Sequence, residues 1–127
     1  MGFMNKKSIN NFYELDAWQK AHELTLEVYR VTKTFPPHEQ FGITSQLQRA
    51  SSSIGANIAE GFARYHFKDK ARFYYQARGS VAEVQNFLLL VKDLGFITVE
   101  TCGDLGEKAN EVRRLINGLV RSLEIQK

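Results

Sequence analysis

LQRASSSIGANIAEGFAR, residues 47–64, holds the densest run of small side chains in the chain: Ala50, Ser51, Ser52, Ser53, Gly55, Ala56, Ala59 and Gly61. Within it Leu47, Ala50, Ile54, Ile58 and Phe62 recur at steps of three and four, the period of a helix face. A second row, Gln46, Arg49, Ser53, Asn57, Glu60 and Arg64, keeps the same step and is polar. A helix so rich in small residues lets its neighbours approach closely, and its polar row must then find partners or water. The stretch therefore reads as a central packing helix with a polar seam.

Outward from it, the rest of the chain also reads as helix. Residues 13–34 carry two adjacent stripes. One is Leu15, Trp18, His22, Thr25, Tyr29 and Thr32, the other Ala17, Ala21, Leu24, Val28, Val31 and Phe35. Together they span a wider sector than a single partner helix needs. Pro36-Pro37 stops that helix, because proline lacks an amide hydrogen and disfavours helical geometry in the residue before it. A second helix is expected over residues 39–64 and a third from the pattern break at Tyr65-His66-Phe67 to Leu94. Gly79 and Ser80 interrupt the third, and a close neighbour on that side would explain them. Gly95 fits a helix C-cap and Thr98 the N-cap of a fourth helix running through Leu123. Residues 1–11 are polar and aperiodic and read as a flexible arm.

Four helices with short connections give an all-α, antiparallel up-down-up-down four-helix bundle, one domain over residues 1–127. If the turn between the second and third helices centres near His66, facing positions sum to about 132. Ser53 then meets Gly79, Arg49 falls opposite Glu83, and Glu60 falls opposite Arg72. Opposite charges aligning twice in one register make these pairs, with Asn57, the expected polar seam.

Composition bounds the function. With 43% hydrophobic and 24% charged residues, the chain has the make-up of a folded globular domain. Its longest apolar run, residues 87–91, falls far short of the roughly 20 residues that span a bilayer. The amino terminus lacks a secretory signal's apolar core, and Lys6 stands where a myristoylation motif takes Ser or Thr. The lone Cys102 excludes an internal disulfide and fits the cytoplasm.

Sites for chemistry are sparse. His22, His38 and His66 are preceded three residues earlier by Gln19, Phe35 and Ala63, so the Glu-x-x-His pairs of metal-binding bundles are absent. A phosphate loop is not formed by residues 103–108, which lack the spacing and a preceding strand. Glu60 and Glu83 lie too far apart in the register for paired acid/base work. The expectation is a protein with no catalytic residues, no metal and no cofactor. His22 reads as a hydrogen-bonded packing residue, and Trp18, Phe73, Tyr74 and Tyr75 as core or interface rather than a base-stacking platform. What remains is electrostatic. Net charge is +3. Arg64, Lys68 and Lys70 cluster at the second turn beside His66, and Arg113, Arg114 and Arg121 recur along the last helix among Glu107, Glu111 and Glu124. Such clusters attract phosphate backbones without any sequence-reading motif.

FPPHEQFGITSQLQRASSSIGANIAEGFAR (residues 35–64), with ARGSVAEVQ (77–85) and LGFI (94–97), resembles the signature of the bacterial 23S rRNA intervening-sequence proteins, also called four helix bundle proteins. The matching positions run from Pro36 and Glu39 through Gln46, Arg49, Ala50, Ser53, Asn57, Ile58, Ala59, Glu60 and Gly61 to Ser80 and Glu83. Gly55 stands where the pattern expects proline. That family is similar in fold and assembly to the accessory protein of diversity-generating retroelements. The resemblance implies a homopentamer of four-helix protomers that interacts with RNA or DNA. Alternatively, it implies an interaction scaffold or accessory subunit for a nucleic-acid enzyme.

Overall fold

The computed structural model describes residues 8–126, so most of the expected arm lies outside the described residues. Four helices form: α1 (Asp16–Thr32), α2 (Ser45–Ala63), α3 (Phe67–Asp93) and α4 (Val99–Gln126). Each packs chiefly on two others, α1 on α2 and α4, and α3 on α2 and α4. With connections of three residues between α2 and α3 and five between α3 and α4, this is the antiparallel up-down-up-down bundle. No strand occurs among the described residues.

Each helix contributes one buried row to a common core. Ala17, Ala21, Leu24 and Val28 come from α1, and Leu47, Ala50, Ile54 and Ile58 from α2. Facing them are Ala77, Val81, Val84, Leu88 and Val91 of α3 and Leu105, Ala109, Val112, Ile116 and Val120 of α4. Fully burying one such branched side chain stabilises by about 1.5–3 kcal/mol, so these rows dominate the fold's stability. Phe35 and Phe96, with ring centroids 5.4 Å apart, close the end of the core beneath the α1–α2 connection.

The other stripe of α1 is only partly covered: Thr32 is buried, Leu15, Trp18 and Thr25 are half-buried, and His22 and Tyr29 are exposed. Trp18 is half-buried over Gly55, and His22 is exposed and stacks on the indole at 4.7 Å. The expected hydrogen-bonded packing histidine is thus an exposed stacking one, because α2 and α4 bury the Ala17–Val28 row and leave His22 outside it. Thr25 of the same stripe does reach inward, its hydroxyl 3.0 Å from the Ser51 carbonyl.

Helix ends follow the punctuation. Gly95 adopts φ +82°, the left-handed geometry that ends helices on glycine. The Thr98 hydroxyl accepts the Thr101 amide at 3.0 Å, capping α4. The second helix starts later than residue 39, at Ser45. Before it, Pro37–Glu39 forms one tight turn and Gln40–Thr44 one wide turn with a non-helical Gly42, so the chain bends twice before α2 begins.

The α2–α3 register lies one residue from the expected one. The hydroxyls of Ser53 and Ser80 are 2.7 Å apart, so Ser80 rather than Gly79 faces Ser53. Gly79 is exposed, with no atom within 4 Å of where a Cβ would sit. The close approach occurs instead at Gly61. There a Cβ would lie 2.6 Å from the Tyr74 ring.

Candidate functional site

The α2–α3 turn gathers the most distinctive surface chemistry. After Ala63 the backbone turns extended at Arg64 (ψ 150°) and stays so at His66 (ψ 140°), so the Arg64 amide still closes on the Gly61 carbonyl while the Phe62 carbonyl is left without a backbone donor. The Lys70 ammonium fills that gap, donating to the Phe62 carbonyl at 2.7 Å and the Gly61 carbonyl at 3.4 Å. Burial there lowers the Lys70 pKa. Lys70 is therefore committed to fastening the hairpin, unlike the free surface cation expected from the sequence.

The other cations of this end remain at the surface. Arg64 reaches Glu60 at 3.5 Å, and its guanidinium carbon sits 4.6 Å from the centre of the Phe73 ring. Arg72 approaches the same ring at 5.0 Å. The expected Glu60–Arg72 pair is thus replaced by Glu60–Arg64 within one helix, where the partner four residues on is closer than one across the hairpin. Lys68 is exposed and has no charged partner among the described residues. Residues 60–73 carry four cations, Arg64, Lys68, Lys70 and Arg72, against Glu60 and Asp69. An end with this balance attracts anions.

Two further features mark it. Tyr65 is 88% exposed, and among the described residues its ring pairs only with that of His66, nearly perpendicular at 5.1 Å. An apolar groove of about 740 Å³ opens between α3 and α4, with Phe67, Ala71 and Tyr75 on one side, Val120 and Leu123 on the other, and Lys68, Arg72 and Glu124 at its rim. In the sequence Tyr65 is marked only as an aromatic residue in a polar turn.

The α4 arginines do not join this cluster as a unit. Arg121 is exposed, one turn before Glu124, near the same end. Arg113 and Arg114 lie about 11 Å further back along α4, at 1.5 Å per residue. Arg114 is paired with Glu107 at 3.3 Å.

The polar seam takes a different form from the expected ion pairs. Arg49 and Glu83 do line one groove, with Gln46, Ser52 and Ser53, but both are exposed and no ion pair joins them among the described residues. Asn57 donates to the Ser53 carbonyl of its own helix at 2.9 Å. Side-chain hydrogen bonds that cross between helices include Gln48 to Thr32 at 2.9 Å, Gln85 to Asn110 at 2.8 Å and Arg78 to Asn117 at 2.9 Å, and a surface ion pair, Lys20 with Glu111 at 3.9 Å, joins α1 to α4. Among the described residues, no group of three or more His, Cys, Asp or Glu is placed to hold a metal ion. None of the described helices is long and apolar enough to cross a membrane.

The family model described as 23S rRNA-intervening sequence protein matches residues 13–118. No curated protein matches the chain. A solved structure similar to it is a protein of unknown function from the S23 ribosomal protein family of Bacteroides thetaiotaomicron. The two share 22% identity and superpose with a TM-score of 0.76, covering 82% of this chain and 97% of the other. At that identity the likeness speaks for the fold alone.

Proposed function

Because this chain belongs to the 23S rRNA-intervening sequence protein family, we propose that it is a non-enzymatic, cytoplasmic protein that assembles as a homopentameric ring and binds RNA or DNA through a repeated basic surface. The observation that carries this reading is the cation-rich α2–α3 turn, where Lys68 is unpaired among the described residues and Arg64 and Arg72 flank Phe73. One copy holds phosphate weakly. Five copies, each with net charge +3, hold it together at high effective concentration. Ring closure is supported by apolar side chains left on the outer faces of α1 and α3, among them Leu26, Tyr29, Leu89 and Leu90.

Light scattering coupled to size exclusion should give about five times 14.5 kDa. A concentration-independent monomer would refute the ring. Fluorescence anisotropy with a structured RNA and a duplex DNA should show micromolar or weaker binding without sequence preference, falling steeply as salt rises. Arg64→Glu with Lys68→Glu should abolish it while leaving the oligomer intact. Lys70 is left unchanged because it caps α2.

A second reading, an interaction scaffold or accessory subunit for a nucleic-acid enzyme, is favoured by Phe41, which is 91% exposed at the opposite end of the bundle. If the intact oligomer binds neither ligand at low salt, that reading replaces the first.

A further inference from the structure

We propose that the α2–α3 turn is a single-strand site, in which the Tyr65 ring stacks an unpaired base while Arg64 and Lys68 hold the phosphates beside it. This rests on the nucleic-acid reading above and names the form of ligand taken. Tyr65 is the middle residue of a three-residue turn and 88% exposed, and among the described residues its ring pairs with none but that of His66, nearly perpendicular to it. It is not a loose tip. The Arg64 amide donates to the Gly61 carbonyl at 3.2 Å, and the Lys70 ammonium ties the end of α2 to the start of α3 at 2.7 Å. An aromatic face held in open water by a fastened turn loses little freedom when a flat partner covers it.

The charges select the partner's chemistry. Arg64 precedes the ring, His66 follows it, and Lys68 opens the first turn of α3. A planar group carried on an anionic chain matches an exposed ring between cations, as in sequence-tolerant single-strand binding. A duplex offers phosphates but keeps its base faces stacked inside, so it can use the cations and not the ring. Phe41, the comparably bare aromatic, has no lysine or arginine anywhere in residues 34–48 and sits beside Glu39. Bareness alone therefore does not define the site; bareness among cations does.

The test measures affinity of the full-length oligomer for a fluorescein-labelled, non-self-complementary 12-nucleotide RNA and for the same strand annealed to its complement, at one salt concentration. The single strand should bind more tightly. Tyr65→Ala should weaken single-strand binding by about tenfold or more, leaving duplex binding unchanged. Tyr65→Trp should retain the preference, whereas Arg64→Glu with Lys68→Glu should weaken both ligands. Equal binding of the two ligands, or a Tyr65→Ala variant with unchanged single-strand affinity, overturns the stacking site while the electrostatic reading survives. A smaller assembly for Tyr65→Ala in light scattering also overturns it, by assigning the ring to a contact between copies. Failure of wild type to bind either ligand removes both readings.

Discussion

Replacing Gly61 by alanine tests how tightly α2 and α3 are pressed together. The added Cβ would stand 2.6 Å from Cε1 and 2.9 Å from Cδ1 of Tyr74, and 3.1 Å from Cβ of Phe73. Carbon atoms pack best at about 3.5–4.0 Å, so the two helices must separate or the ring must move by close to 1 Å. The ring has little room, since Tyr74 is only 3% exposed, and the Phe73 Cβ is bonded to the α3 backbone. Overpacking of this kind costs about 1–3 kcal/mol. Against it stands a helix-propensity gain of at most about 1 kcal/mol, reduced because Gly61 lies in the last turn of α2. The net expectation is destabilisation by about 1–2 kcal/mol. Gly79→Ala is the internal control. Nothing lies within 4 Å of its new Cβ, so the same substitution should stabilise by up to about 1 kcal/mol. Urea unfolding followed by circular dichroism, at one fixed protein concentration, gives both values without confusing folding with assembly. A Gly61→Ala variant as stable as Gly79→Ala would refute the close contact and the packing reasoning built on it.

Three other outcomes follow from the geometry. Lys70→Met should lose about 1–2 kcal/mol, chiefly through the uncapped Phe62 carbonyl, yet leave the salt dependence of RNA binding nearly unchanged; a large drop in that slope would instead make Lys70 a phosphate contact. Arg49→Ala should change stability by no more than about 0.5 kcal/mol, since Arg49 and Glu83 are both exposed and unbridged, and a loss of several kcal/mol in urea would reveal a buried pair after all. Burial pushes the Tyr74 phenol up to about 12 from an ordinary 10.0, so its share of stability is whole below pH 10 and is lost as pH rises towards 12, the unfolded chain releasing its proton first. Urea midpoints measured from pH 9 upward should therefore fall less steeply for Tyr74→Phe than for wild type, and identical slopes would contradict the buried phenol.

Periodicity along residues 47–64 and its echoes elsewhere were enough to determine four helices and the inward row of the second, while the first offered two apolar stripes between which only packing chose. A helix repeats every 3.6 residues, so burial of one face is written into local spacing. Pro36-Pro37, Gly95 and Thr98 determined where helices stop and start, through missing amide hydrogens, a left-handed φ and a hydroxyl cap, all of which act within a few residues. Even the hairpin register was legible to one residue, because a three-residue turn leaves the strands of side chains little freedom to slide. The partners of polar groups were not. Glu60 had a cation in register across the hairpin and another four residues along its own helix, and at an exposed position the nearer one prevails. Lys70 looked like a surface charge until the end of α2 brought the bare Phe62 carbonyl, with that of Gly61 beside it, to its ammonium. Which glycine marks the tight contact was equally undecided, because that depends on the distance between two helix axes. That distance is set by every side chain between them, so Tyr74 settles against Gly61 while Gly79 faces open solvent.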